Sequence, residues 1–287
     1  MEMDSQRIRW YLWPLLVVSW LGVSVCHGES TKMNKDARSK LSSVQPAVWE
    51  KLAKKKIYFG HQSVGDNIIT GLREVLLAYP QIKIKIQERA ELVLPAGPAL
   101  FHSYVGTNEK PMSKNEAFQT AITGMLRNNV DVAFFKYCYL DIGPSTEISA
   151  LFRNYRQTMD ALRKQNPNVM FVHITAPLTA IQTGWKASVK KALGKSPAGY
   201  PDNARRNEFN DVLRKEYVGK EPVFDLAKLE TTRGDGSRMA YEFQGREYLS
   251  LAPEYTDDGG HLNETGRRYI AEQLLLFLAE EIANKRV

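Results

Sequence analysis

Three polar side chains stand where apolar patterning gives way. Ser63 lies in Gly60-His61-Gln62-Ser63-Val64-Gly65, directly after the apolar run Ile57-Tyr58-Phe59. Asp258 and His261 lie in Thr256-Asp257-Asp258-Gly259-Gly260-His261-Leu262-Asn263. A serine hydroxyl is a weak nucleophile unless a neighbouring base, itself oriented by a third group, takes its proton. The Asp-x-x-His spacing lets a carboxylate accept from the imidazole of its own segment and fix its tautomer. The second ring nitrogen is then left for a hydroxyl presented from elsewhere in the chain. Asp257 competes with Asp258 for the orienting role. Taken singly, Ser63 suits a glycine-rich turn and the Asp-His pair suits a helix-entry loop. Together, at opposite ends of one pattern, they point to nucleophilic chemistry.

Such a pair requires a scaffold that returns the chain's end to its beginning. A short helix over Val48 to Lys55 and a strand at Ile57 to Phe59 precede the serine, and Ile68, Leu72, Val75 and Leu76 recur at helical spacing after it. Ile82 to Ile86 alternates with period two, the pattern of a strand with one solvated face. Ala90 to Ser113, with Pro95, Gly97, Pro98, Gly106 and Pro111, reads as a long irregular stretch of the kind that often carries function. Helices are expected over Asn115 to Arg127, Ser145 to Gln165 (with Ser145 as capping residue), Ala204 to Tyr217 and Asn263 to Ala283. Strands are expected over Val130 to Phe135, Val169 to Ile174 and Pro222 to Leu226. This alternation predicts one α/β domain with a doubly wound, mainly parallel sheet, and ligands at the carboxyl ends of its strands. The serine turn, the 90–113 stretch, the turn after Phe135 and the Asp-His loop then surround one crevice.

The chain has 287 residues, enough for a sizeable core. Arg7 and Arg9 followed by the apolar run Trp10 to Val25 read as a secretory signal over 1–28, with an uncleaved anchor as the alternative. Residues 29–45 read as a polar, mobile leader, and 46–287 as the folded domain. The net charge of +7 is spread along the chain, with lysine clusters at Lys51 to Lys56 and Lys186 to Lys195 read as solvated helix faces. No nucleic-acid module accompanies it, so acidic glycans or membrane surfaces are the partners the charge permits. Of the two cysteines, Cys26 and Cys138, the second alone outlasts removal of a signal, and it reads as a buried small hydrophobe. His61, His102, His173 and His261 lack metal-binding spacing, so neither metal nor cofactor is called for. His61 reads as a turn-stabilising group, His173 to Pro177 as structural, and Trp185 and Tyr200 either as candidate cleft residues or as a satellite core under a long loop.

The serine turn and the Asp258-Gly259-Gly260-His261-Leu262-Asn263 segment together resemble the first and last blocks of the SGNH/GDSL hydrolase superfamily. Asn203 to Arg214, with Arg206, Asn210 and Leu213, resembles the helix that often precedes the last block. The resemblance spans Lys56 to Ala283 and implies a flavodoxin-like, three-layer α/β/α sheet fold. It also implies a serine esterase with Ser63 as nucleophile, His261 as base and Asp258 as orienter. Two features depart from the family pattern. No acid precedes the serine, and the third block, which supplies an oxyanion-hole asparagine, falls on Cys138 to Asp141 with Leu140 at the asparagine. The backbone N–H groups of Ser63 and Gly106, with Asn108 as a side-chain option, are the expected donors, ahead of Lys136 and Tyr137. The implied substrate is a small-molecule or carbohydrate ester, acted on by a secreted or periplasmic enzyme without stable membrane association. A glycan O-acyltransferase or a non-catalytic glycan-binding protein on the same scaffold are the alternatives.

Overall fold

The computed structural model describes residues 40–88 and 97–284. Helix α1 (Pro46–Ala53) leads into strand β1 (Lys56–His61), which is buried from Ile57 onward. Helix α2 (Ser63–Ala78) starts two residues after the strand ends. Its apolar residues Ile68, Leu72 and Val75 face the core at the spacing read from the sequence. Of the period-two run Ile82 to Ile86, Ile82 and Ile84 are buried and their neighbours exposed, as alternation requires. Ladder pairing, however, is confined to β2 (Ile86–Glu88). The 90–113 stretch is not irregular throughout, because β3 (Ala99–Tyr104) runs through it and pairs with β1 along its whole length.

Helix α3 (Pro111–Thr123) begins and ends about a turn before the expected positions, with Pro111 at its first residue. Strand β4 (Val132–Phe135), helix α4 (Ile148–Gln165) and strand β5 (Met170–Ile174) follow. Glu147, not Ser145, holds the N-cap position of α4. Helices α5 (Gly184–Ala192) and α6 (Tyr200–Tyr217), strand β6 (Val223–Phe224) and helix α7 (Leu226–Thr231) come next. A hairpin of β7 (Ala240–Phe243) and β8 (Arg246–Leu249) was not anticipated by the sequence pattern. It turns at Gln244-Gly245, both with positive φ, and lays Tyr241 and Tyr248 on Tyr200 and Ala204. Helix α8 (Glu264–Asn284) closes the fold.

The main sheet has the order β2-β3-β1-β4-β5-β6, and each pairing is parallel. Alternate residues divide between its faces. Ile57, Phe59, Val132 and Phe134 join Leu72, Ile270, Leu274 and Leu278 of α2 and α8 on one side. Tyr58, Ala133 and Phe135 join Phe118, Leu151, Met159, Phe209 and Leu213 of α3, α4 and α6 on the other. Each such side chain contributes about 1.5–3 kcal/mol when fully removed from water. The architecture is a three-layer, flavodoxin-like α/β/α sandwich. Of the expected leader 29–45, residues 40–45 are described, and Leu41 is fully buried in the first of these two cores. The packed structure therefore takes in at least part of that stretch. Residues 1–28 lie outside the described residues, and among those described no helix is long and apolar enough to cross a membrane.

Helices α2 and α8 pack closely at Gly71, against the carbonyl of Arg267. A Cβ at Gly71 would lie 2.3 Å from that oxygen. The Arg267 guanidinium reaches back to Glu74 Oε1 through Nε (3.0 Å) and Nη2 (2.5 Å). These two helices carry the serine turn and the Asp-His loop at their N-terminal ends.

Candidate active site

The apolar strand β1 delivers the chain to the carboxyl edge of the sheet, and Ser63 is the first residue of the helix that leaves it. In that position its N–H has no partner within the helix and points outward with the positive end of the helix dipole. Gln62 fastens the turn to the end of β3: its Nε2 donates to the carbonyls of Val105 and Gly106, both at 3.0 Å. Val105 N–H donates to the carbonyl of His61 (3.1 Å). The turn after β3, read from the sequence as loop, is in this way brought beside the serine.

His61 stabilises the turn from beneath. Its ring is buried and lies against Gly65, where a Cβ would meet the histidine at 2.3 Å. Arg73 can only donate, so at 3.4 Å it makes His102 Nε2 an acceptor. His102 Nδ1–H then donates to His61 Nε2 (2.9 Å), and His61 Nδ1–H donates to the Gln62 carbonyl (3.1 Å). Both imidazoles are neutral in this chain. Burial, reinforced by Lys136 and His102, lowers His61 to about 3. Burial and the Arg73 charge lower His102. The sequence offered no sign of the His102–Arg73 extension, since these residues lie on separate elements.

The second segment folds into a tight loop between a 3₁₀ turn (Pro253–Tyr255) and α8, closed by a bridge between Thr256 and Leu262. Gly259 has φ of 87°, and Gly260 lies so close to the Tyr139 ring that a Cβ would stand 2.9 Å from it. Asp258 Oδ1 accepts from the N–H groups of Gly260 and His261, each at 2.8 Å. Its Oδ2 accepts from His261 Nδ1 at 2.6 Å. The Gly260 N–H, followed by the imidazole and the His261 N–H, holds the Asp258 carboxyl well below the usual carboxylate range. Asp257 is engaged elsewhere, accepting from Asn263 Nδ2 at 3.2 Å.

His261 Nε2 stands 3.0 Å from Ser63 Oγ, across 198 residues of sequence. Two further contacts fix this approach. Asn67 of α2 accepts from Leu262 N–H at 3.1 Å, and the Tyr139 ring meets the His261 ring edge-on with centroids 5.7 Å apart. Ser63, His261 and Asp258, the residues expected as nucleophile, base and orienter, are thus brought together at hydrogen-bond distances.

Gly106 follows β3 with φ of 58° and an exposed backbone. Among the described residues its N–H has no protein acceptor. Asn108, two residues on, accepts at Oδ1 from Lys114 Nζ (2.9 Å), which leaves Nδ2 as the donating end of the amide. Lys114 is itself fully buried and paired to Asp141 Oδ2 at 2.5 Å. Asp141 also accepts from Cys138 N–H (2.6 Å) and Glu109 N–H (3.0 Å), so one carboxylate ties the Gly106–Lys114 loop to the turn after β4. Leu140, at the family's asparagine position, is partly exposed, whereas Cys138 is fully buried. Lys136 and Tyr137 do not serve as outward donors. Both are fully buried, Lys136 donating to the Tyr137 carbonyl (3.2 Å) and Tyr137 to Asn115 Oδ1 (2.5 Å). Burial lowers Lys136 to about 8. Arg206 Nε holds the carbonyls of Tyr139 and Ile142 at 2.8 and 3.1 Å, a role its place in the α6 sequence did not reveal. Of the two aromatics, Tyr200 is buried under the hairpin in a small satellite core and Trp185 is largely exposed. No group of three or more potential metal ligands occurs among the described residues.

No family model matches the chain, and no curated protein sequence matches it. Solved structures similar to it include a lipase/acylhydrolase from Enterococcus faecalis, with 12% identity and a TM-score of 0.44 over 81% of this chain and 100% of that one. A family 3 carbohydrate esterase from Clostridium thermocellum has 17% identity and a TM-score of 0.38, over 80% and 97% of the two chains. The periplasmic domain of a lipopolysaccharide acetyltransferase from Salmonella ser. Paratyphi A has 11% identity and a TM-score of 0.40, over 86% and 94%. At these values the likenesses assign no activity, and the side-chain geometry has to carry the chemistry.

Proposed function

We propose that the protein is a serine esterase. The observation that carries this is the continuous line from Asp258 Oδ2 through the His261 ring to Ser63 Oγ, with spacings of 2.6 and 3.0 Å. Asp258 fixes the tautomer with the proton on Nδ1, so Nε2 is free to take the hydroxyl proton as Ser63 Oγ attacks an ester carbonyl. The carbonyl oxygen becomes an oxyanion received by the N–H groups of Ser63 and Gly106, with Asn108 Nδ2 as the side-chain donor in place of the family's asparagine. His261 then passes its proton to the departing alkoxide, and an acyl group remains on Ser63. Water, deprotonated by the same nitrogen, releases the carboxylic acid and restores the hydroxyl. We further propose that residues 1–28 direct secretion, and that the substrate is an O-acylated small molecule or carbohydrate, which the basic net charge of +7 suits when the glycan is acidic.

The test is covalent as well as kinetic. Wild-type protein should take up one fluorophosphonate per chain and release p-nitrophenol from short-chain esters. Ser63→Ala should do neither, with unchanged thermal unfolding. Equal labelling of the two proteins would exclude Ser63 as the nucleophile.

A further inference from the structure

Helix α5 stands mostly in solvent, touching the domain through Ala187 and through Lys191 over the Tyr200 ring. Of its nine residues only Ala187 is buried. The excursion that holds it, residues 183–197, is closed at its base where Gln182 N–H donates to the Ala198 carbonyl (3.0 Å) and Ala198 N–H to Gln182 Oε1 (3.3 Å). Isolated helices of this length are marginal in water, so a helix this exposed is not explained by packing onto the domain. Its sequence explains it differently. Trp185, Val189 and the capping residue Leu193 recur every four residues and form one stripe, 72%, 47% and 67% exposed. Ala187 lies two residues before Val189, about 200° of helical rotation away, so the apolar stripe faces directly away from the protein.

Lysines border the stripe. Lys186 and Lys190 lie along one border of it, with Lys195 just beyond the helix, and residues 183–199 contain no acid. Lys191 lies beside Ala187 on the protein-facing side, with Nζ 5.0 Å from the centre of the Tyr200 ring. The aliphatic stems of such lysines extend along apolar surface while the ammonium groups stay in the polar layer. Three exposed apolar side chains on one face, bordered by cations, match a helix lying in the plane of a membrane interface. A carbohydrate would use the indole but gains nothing from Val189 and Leu193. A run of cations beside the stripe with no acid among residues 183–199 favours a uniformly anionic surface over a protein groove of mixed charge.

We propose that α5 is a reversible docking helix for an anionic lipid surface. Trp185, Val189 and Leu193 enter the headgroup region, and Lys186, Lys190 and Lys195 meet lipid phosphates or carboxylates. The helix is rooted beside the Asp-His loop, because Ala180 N–H donates to the Gly259 carbonyl at 2.8 Å. Docking would therefore hold the open side of the triad close to the surface. Such a contact is peripheral and salt-sensitive, compatible with the expectation of no stable membrane association, and it stands independently of the esterase reading.

Hydrogen exchange of residues 184–193 tests it in the full chain, with vesicles of phosphatidylcholine alone or mixed with phosphatidylglycerol. Exchange should slow about tenfold or more on the mixed vesicles only, and recover in about 0.5 M salt, where the Debye length falls to a few ångströms. The triple variant Trp185→Ser, Val189→Ser, Leu193→Ser should lose the protection, which separates α5 from any effect of the apolar run Trp10 to Val25. Lys186→Glu with Lys190→Glu should lose it as well, with the stripe intact. Hydrolysis of a soluble ester should stay within about twofold in both variants, and a protein inactive from the outset would still report docking by exchange. Protection by heparin but not by vesicles would overturn the proposal in favour of a glycan surface. Protection that grows with protein concentration alone would overturn it in favour of self-association, and no protection at all would leave α5 a solvated helix.

Discussion

Asp258→Asn isolates the tautomer on which the proposed mechanism depends. In the native loop Oδ1 accepts from two backbone N–H groups and Oδ2 accepts from His261 Nδ1. An asparagine satisfies the two backbone donors by placing its amide oxygen at the Oδ1 position. Its NH₂ then faces His261 Nδ1, and two donors cannot meet. The imidazole answers by moving its proton to Nε2, where it points at Ser63 Oγ and the ring no longer accepts. The loss should approach 10⁴-fold in kcat, about 5.5 kcal/mol of barrier, because base and orientation fail together. The cost in stability should stay below about 1 kcal/mol, since the Asp258 side chain is 56% exposed. Short-chain p-nitrophenyl ester hydrolysis, followed alongside thermal unfolding, separates the two. Asp257→Asn is the internal control: that carboxylate contacts Asn263 rather than the imidazole, and its loss should change kcat less than about threefold. An Asp258→Asn enzyme within tenfold of wild type, or an Asp257→Asn enzyme as impaired as Asp258→Asn, would refute the assignment of roles.

Two other outcomes follow from the same geometry. Gly106→Ala adds a Cβ 2.7 Å from the backbone of Ser113 and Lys114 at a φ of 58°, so the turn must move and take the proposed oxyanion donor with it. A fall in kcat of about 100-fold with KM nearly unchanged is expected, and loss in KM alone would place Gly106 in ground-state binding instead. Stability should also decline in acid for a specific reason. His61 and His173 are held neutral down to about 3, in both cases chiefly by burial, whereas an unfolded chain protonates each near 6.5. From about pH 6.5 down to 3 the unfolded state binds more protons, so stability falls as pH falls. These two groups alone lose about 4 kcal/mol between pH 7 and 5. Glu230 offsets this in part, because burial pushes its carboxyl up to about 8 and the folded state holds a proton there that the unfolded chain lacks over the same interval. A urea midpoint that rises between pH 7 and 5 would contradict the neutral state of the two histidines.

The three residues of the candidate site were more legible in the sequence than several of the elements that position them. Ser63, Asp258 and His261 announce themselves because local chemistry dictates their neighbours: a glycine where a ring packs, two glycines in a tight loop and an asparagine whose Oδ1 caps α8 through Gly266 N–H at 3.0 Å. Strand β3 was hidden because Pro95, Gly97 and Pro98 just before it, with Gly106 and Pro111 after, outweighed the short run Ala99 to Tyr104. Alternation at Ile82 to Ile86 truly reports one buried face, but burial of a face does not require a hydrogen-bonded neighbour, and the ladder forms only at its end. The Lys114–Asp141 pair and the His61–His102–Arg73 chain were beyond reach, since each joins residues from elements whose pairing only the sheet order decides. Lys186 to Lys195 was visible as a charge run. Its apolar stripe acquired meaning once Ala187 showed which side faced the protein.

The contact between Gly71 and the Arg267 carbonyl makes the spacing of the reacting atoms a mechanical property of two rods rather than of two loops. Ser63 sits eight residues up one rod, about 12 Å from the crossing, and His261 a little beyond the end of the other. Any slip at the crossing travels along stiff helices and arrives at the hydroxyl undiminished, where a few tenths of an ångström separate a reactive hydrogen bond from a broken one. On the proposed mechanism, tuning of the rate can therefore be written at Gly71, Glu74 and Arg267, at a distance from the Ser63 hydroxyl. Heat that loosens this crossing should abolish the proposed activity before the sheet itself gives way.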